Sequence, residues 1–469
     1  AQVFLQSIAA EINQPVQEAS LALENAQVVV KNGQIGKEVD IEMTLALIET
    51  ILVYMQNAEV PVVVRETPPA IMDVGQQAEL AREILSKDLV IRDPGDESKS
   101  WTIPPEELAS MLNVTRSDAA EDSGAGYQIS LNQALFTNFL NSLASDLSVE
   151  PVNTRFIFND ETLQLEVYKP ATIGRKLDVT SSLEDIETKL KNGVHEIPLV
   201  FETIKPVVTD DMTGADLGIT ELVHSETSYF YGSDAARVQN IETASSQFHG
   251  LLIPPGATFS MADALGNVSL ENGYAEALII YGGQTIQGVG GGVCQVSTTL
   301  FRAAFFAGFP IPERHAHAYR VGYYEMRRDG SKDPNLAGLD ATVYVPIVDL
   351  KFTNDTDHWL LMETYMGDYF SLTWKFYSTS DGRTVSWQTT GPTNVVPAPE
   401  DLYRENPELE EGEIKKVDYA AEGAEITVTR TVYKDDKVHF SDSIYTKFRP
   451  WQAIYEYGPG TEIPEPEGD

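Results

Sequence analysis

Residues 288–300 read Gly288-Val289-Gly290-Gly291-Gly292-Val293-Cys294-Gln295-Val296-Ser297-Thr298-Thr299-Leu300, and the segment runs on to Gly308 and Pro310. Apolar residues at Val296, Leu300, Ala303, Ala304 and Ala307 recur at helical spacing, and Gly308 with Pro310 stops the helix. The stretch predicts a glycine-rich turn followed by a helix, with Cys294 at or near the helix N-terminus. Unpaired amides and the macrodipole at that end favour a thiolate, whose parent thiol ordinarily titrates at about 8.5. The preceding glycines let the backbone N–H groups of Gly290, Gly291, Gly292 and Val293 turn towards one point, as an oxyanion hole requires. A glycine run alone serves equally well as a tight turn, and a lone cysteine as a small buried hydrophobe. The run, the chain's only cysteine and a helix in succession point instead to an acyl-transfer nucleophile.

A cysteine nucleophile needs a base. Of the seven histidines, only His315 and His317 lie near Cys294 in sequence, within Glu313-Arg314-His315-Ala316-His317-Ala318-Tyr319. Period-two spacing predicts a strand with both imidazoles on one face, too far apart along it for both to reach the sulfur. The same alternation suits zinc, but no second cysteine or carboxylate pair accompanies it, so neither a metal nor a cofactor is expected. Residues 301–340 carry six Lys or Arg (Arg302, Arg314, Arg320, Arg327, Arg328 and Lys332) against five Asp or Glu. That local balance predicts a surface suited to a substrate bearing carboxylates.

The whole chain is very different in charge, with 33 Lys and Arg against 71 Asp and Glu, a net charge of −38. Such a chain repels nucleic-acid phosphates and anionic lipid surfaces, so no nucleic-acid partner is expected. Its longest apolar stretches fall far short of the roughly 20 residues of a membrane span. Starting at Ala1 without Met, it is read as an exported chain whose signal peptide or amino-terminal anchor has been removed. One cysteine excludes an internal disulfide framework.

At 469 residues the chain exceeds one hydrophobic core. Two segments read as copies of one strand, turn, helix, strand unit. The first has strand 28–30, then Ile35-Gly36-Lys37-Glu38-Val39-Asp40, a helix over 45–55 and strand 60–64. The second has strand 165–167, then Ile173-Gly174-Arg175-Lys176-Leu177-Asp178, a helix over 182–191 and strand 197–201. Each Asp is a natural N-cap and each Gly tolerates a turn. Between the copies, helices are expected to open at Pro104-Pro105-Glu106-Glu107 and to span 132–147, with an exposed loop at 117–126. Further on, alternation over 372–377 predicts a strand, Asp381-Gly382 a hairpin turn, and 392–412, with four prolines, a linker. A β module follows in which Ile426, Val428, Arg430 and Val432 alternate with threonines, and 461–469 form an acidic, disordered tail. The fold class is α+β and multidomain, divided at 1–150, 151–232, 233–396, linker 397–412, β module 413–460 and tail 461–469.

Pro255-Gly256-Ala257-Thr258-Phe259-Ser260, Glu271-Asn272-Gly273-Tyr274, residues 290–299, Glu313-Arg314-His315-Ala316-His317, Gly338-Leu339-Asp340-Ala341-Thr342-Val343 and Asp349-Leu350-Lys351-Phe352-Thr353-Asn354 together resemble the VanW domain, over about 233–396. The duplicated units resemble the peptidoglycan-binding domains that often precede it, and 406–460 looks like the five-glycine surface domain. Two departures stand out: Ala318 replaces a usual Ser, and 325–337 is longer than usual. The resemblance implies an extracellular, cell-wall-associated L,D-transpeptidase that cross-links peptidoglycan stem peptides through a cysteine acyl-enzyme, with stem peptides and glycan as partners. By position it implies Cys294 as nucleophile, His317 as base and Asp340 as the group orienting the imidazole, with Gln295, Arg314, His315 and Tyr274 at the substrate. A cysteine peptidase of peptidoglycan, or a non-catalytic wall-binding scaffold with Cys294 buried, fits the same residues.

Overall fold

A computed structural model describes residues 1–55, 57–117, 126–281 and 284–464. The expected loop at 117–126 and the end of the expected tail, 465–469, fall largely or wholly outside these residues. The architecture is α+β and multidomain, with helices set among many small sheets. Two compact units result, one from Ala1–Val152 and Ile173–Lys205, the other from Asn153–Thr172 and Pro206–Asp469. No described helix is long and apolar enough to cross a membrane.

In the first unit the strand, helix and closing strand of both copies form. Strand Gly36–Val39, helix Ile41–Val53 and strand Val64–Thr67 repeat as Gly174–Leu177, Val179–Lys191 and Phe201–Ile204. The strands of each copy pair antiparallel in one register, Gly36 opposite Thr67 and Gly174 opposite Ile204. Asp40 caps its helix by accepting from Met43 N, and Asp178 does the same with Ser181 N. The closing strands begin at Val64 and Phe201, where the sequence reading ended them. Residues 60–63 are not strand, and Glu196–Pro198 instead joins Leu89–Asp93 in parallel.

Neither repeat glycine sits in a turn; both are strand residues, and space explains them. A Cβ on Gly36 would lie 2.9 Å from Val16 N, and one on Gly174 would lie 2.5 Å from Pro151 N, where the preceding chain crosses. Gly174→Ala should therefore destabilise the first unit by about 1 to 3 kcal/mol, measured by urea unfolding. An unchanged midpoint would mean that the crossing chain shifts freely.

The strand expected over 165–167 is part of hairpin Arg155–Asn159 and Gln164–Lys169, which lies in the second unit. Phe156 and Phe158 bury themselves there with Leu361 and Tyr377, and Phe158 N donates to Glu363. The second unit centres on an antiparallel sheet ordered Glu221–Tyr229, Ser371–Ser378, Leu360–Gly367, Leu251–Ile253. Helix Val293–Phe306 packs on its first two strands and is buried along nearly its whole length.

Asp381-Gly382 is not a hairpin. The strand after it, Thr384–Thr389, leaves the sheet and pairs with Gly423–Lys434. Nor is 392–412 an unstructured linker, because Thr393–Val396 pairs with Gly423–Lys434 and Leu402–Glu405 with Ile454–Tyr457. The prolines lie outside those two short strands. Ala424, Ile426, Val428 and Phe448 complete the same core as the Cys294 helix. Arg430, in the alternating series, is buried with them. It pairs with Asp442, donates to Phe305 O and lies 4.5 Å from the Phe305 ring centre.

Candidate active site

The position of Cys294 follows from the glycine run. Gly292, at φ +118°, is the N-cap of Val293–Phe306, and a Cβ there would lie 2.9 Å from Arg237 O. Cys294 is thus the second residue of the helix and is half-buried. Its Sγ lies 3.4 Å from Thr342 Oγ1.

Hydroxyls one turn into the helix hold the facing segment. Ser297 and Thr298 Oγ both donate to Ala341 O, at 2.5 and 3.1 Å, and Ala341 N donates to Thr298 Oγ1. This clamp sets Thr342 beside the sulfur and Asp340 on the other side of the same short segment.

Asp340 is buried and holds His317. His317 Nδ1 lies 2.5 Å from Asp340 Oδ2, which also accepts from His317 N at 2.8 Å. Arg314 Nη2 donates to Asp340 Oδ1 and Gly338 O, its Nε to Asp340 O and its Nη1 to Thr446 Oγ1. With Nδ1 taken by the carboxylate, Nε2 is the imidazole edge left for the cleft, and Tyr324 Oη lies 3.3 Å from it.

Charge ties the group together. Burial works against an Asp340 carboxylate, but His317 and Arg314 outweigh it and hold its pKa down at about 2. Burial likewise works against charge on His317, yet Asp340 and Cys294 raise it to about 10. Burial alone would push the Cys294 thiol up, but its interaction with His317, then Thr342 and Val343, brings it down to about 7. Each group thus favours the charged form of the other, a thiolate facing an imidazolium.

Other sequence candidates lie elsewhere. His315 and His317 do not share a strand face: His315 makes only an isolated bridge to Thr342, and its half-exposed ring faces Glu313. Gln295 is buried under the helix, donating to Ser228 Oγ and accepting from Arg237. Tyr274 is 3% exposed, and Arg314 is enclosed behind Asp340. The Gly290 and Val293 amides donate to Ala275 O and Gly290 O, so of the proposed oxyanion donors those of Gly291 and Gly292 remain, beside that of Cys294 itself.

Four of the six cations of 301–340, Arg314 among them, are engaged internally. Arg302 is buried, donating to Leu339 O and Tyr324 O, while Arg320 pairs with Glu325 and Arg327 with Asp333. Tyr324 and Arg237 were not singled out from sequence and no local pattern marks them, while Thr342 lies in the Gly338–Val343 segment without having been assigned a part.

The cleft has a volume of about 530 Å³. Cys294, His317, Thr342 and Tyr324 line it, with apolar walls that include Val268, Leu278, Ile280 and Val345. Among the described residues no group of three or more His, Cys, Asp or Glu side chains is placed to hold a metal. The arrangement is a thiolate, an imidazole oriented by a buried carboxylate and backbone amides at a helix start, as nucleophilic acyl transfer requires.

Comparison with known proteins finds two family models and several relatives. The family model described as "VanW like protein" matches residues 236–377, and "Putative peptidoglycan binding domain" matches 1–61 and 101–197. The chain is 29% identical over 197 residues to the uncharacterized protein YoaR of Bacillus subtilis, covering 42% of this chain and 62% of that one. It is 33% identical over 121 residues to the vancomycin B-type resistance protein VanW of Enterococcus faecalis, covering 26% of this chain and 42% of that one. The matches thus span less than two thirds of either relative. Among solved structures, an IgA1 protease G5 domain is 18% identical with a TM-score of 0.11, covering 16% of this chain and 90% of that one. The G5 domain of HP0197 gives 18% and 0.09, covering 16% and 97%. Residues 236–377 are thus similar to the VanW-like proteins, and the region before them, over 1–61 and 101–197, is similar to the putative peptidoglycan-binding-domain family.

Proposed function

We propose that this protein is a cysteine-dependent acyltransferase of the cell wall, an L,D-transpeptidase acting on peptidoglycan stem peptides. The observation that supports it most is that Cys294 and His317 line one cleft at a helix N-terminus, with Asp340 bonded to the imidazole from behind. The Cys294 thiolate attacks the carbonyl carbon of the third stem residue, and the Gly291, Gly292 and Cys294 amides face the developing oxyanion. The C–N bond to the terminal D-Ala breaks as the His317 imidazolium gives its proton to the departing amine. An amine of a neighbouring stem then attacks the thioester, loses its proton to His317 and releases the thiolate. Water in place of that amine makes the same site a peptidase.

Incubation with a stem tetrapeptide should leave an adduct of the tripeptide acyl mass on Cys294 by intact-mass spectrometry, absent from Cys294→Ala. No adduct on a folded protein whose thiol still alkylates would overturn the acyl-enzyme. Muropeptides carrying new cross-links, rather than shortened stems, separate transfer from hydrolysis.

A further inference from the structure

We infer that Arg237 is the carboxylate-recognition residue of the Cys294 cleft, gripping the free C-terminal carboxylate of the residue that leaves. The inference takes its substrate class from the acyl-transfer reading, but its evidence is separate.

Arg237 lies in the first turn of helix Ala235–Ser246 and lines the cleft. It is set against the nucleophile's own turn, since its backbone and Cγ fill the space that a Cβ on Gly292 would need. Its Nη2 donates at 3.1 Å to Gln295 Oε1, the residue after Cys294, and Nη1 donates at 2.6 Å to Ser233 Oγ. Gln295 is fixed in turn by Ser228, which bonds Thr299. The guanidinium carbon sits 4.4 Å from the centre of the Tyr323 ring, in a cation–π contact.

Every one of these partners is neutral. Among the described residues no carboxylate is paired with the Arg237 guanidinium, the Asp234 carboxylate capping the backbone N–H of Arg237 instead, in a chain carrying 71 acidic residues against 33 basic ones. The other arginines near the site are spent internally, Arg314 on Asp340, Arg320 on Glu325 and Arg302 on backbone carbonyls. The guanidinium is therefore held in one place by neutral groups, with N–H donors still open and its charge uncompensated. A planar fork so prepared matches a carboxylate in a bidentate grip.

Tyr323, which carries the guanidinium on its ring, precedes Tyr324, whose hydroxyl lies 3.3 Å from His317 Nε2, and all four residues line the cleft. A carboxylate bound there shares the cleft with the sulfur and with the imidazolium from which the leaving amine collects its proton. That placement makes the site select a donor ending one residue beyond the scissile carbonyl. An amidated or longer C-terminus presents no charge to the fork.

The test uses Nα-acetyl-L-lysyl-D-alanine and its C-terminal amide, which differ only in the carboxylate. Their binding to the otherwise intact Cys294→Ala chain is measured by calorimetry, with and without Arg237→Gln and Arg237→Lys. The acid should bind at least about tenfold more tightly than the amide, as expected for hydrogen bonds to a charged group. Arg237→Gln should bring that ratio close to one, and Arg237→Lys should retain part of it. Equal binding of the two probes, binding of neither, or a ratio unchanged by Arg237→Gln overturns the inference. Acylation is read separately on the Cys294 protein. An Arg237-dependent acid preference without any acyl adduct would leave the carboxylate site standing and remove the acyl-enzyme, whereas an adduct formed equally from both probes would do the reverse.

Discussion

Replacing His317 by Ala should slow acyl-enzyme formation by a factor on the order of 10⁴ or more and move the pH midpoint of Cys294 alkylation from about 7 to above the ordinary thiol value. Burial raises the thiol pKa, and the interaction with His317 is the largest influence bringing it down. Without the imidazole, desolvation is left opposed by Thr342, Val343 and the helix N-terminus. The alkylation rate at neutral pH falls less than the thiolate population, because a more basic thiolate is the stronger nucleophile, with a Brønsted slope of about 0.4 to 0.5. The midpoint is therefore the cleaner readout. His315→Ala should leave both properties near wild type, since that ring is half-exposed and bonds Glu313. Iodoacetamide rates across pH 5 to about 10 check this. A midpoint that moves in His315→Ala and not in His317→Ala would exchange the two roles.

Asp340→Ala should destabilise the second unit by about 3 to 5 kcal/mol as well as disabling the site. The carboxylate is enclosed and takes hydrogen bonds from the side chain and backbone of His317 and from Arg314. Removing it leaves the Arg314 guanidinium, 8% exposed, without its counter-charge and His317 Nδ1 without its partner. The pH dependence has a definite sign. A carboxylate held at about 2 against an ordinary 3.8 contributes its stabilisation fully above the ordinary value and loses it as pH falls towards 2, about 2 kcal/mol in all. Urea unfolding of wild type and Asp340→Ala at pH 7 and pH 3 measures both effects, and the gap between the proteins should narrow at the lower pH. A gap under about 1 kcal/mol at pH 7 would mean that the site relaxes around the lost charge.

What the sequence by itself determined is whatever local chemistry encodes. The Asp40 and Asp178 caps, the proline opening Pro105–Ser110 and the helical spacing from Val296 to Ala307 each act within a few residues. The glycine run likewise marked the turn before Cys294, because only a residue without Cβ fits against Arg237 at Gly292. The repeat was legible for the same reason, although its glycines answer to a crossing chain that no local pattern announces. Tertiary structure decided the rest. His315 and His317 face different surroundings because the segment is not a strand: Asp340, 23 residues on, captures one imidazole, and Glu313 the other. Thr342 reaches the sulfur through hydroxyls of Ser297 and Thr298, and Tyr324 reaches His317 from a short 3₁₀ turn whose carbonyl Arg302 holds. The strands in 392–412 form only because partners at Gly423–Lys434 and Ile454–Tyr457 accept their hydrogen bonds. Short strands have little signal of their own, since their stability lies in the pairing and in the faces they cover.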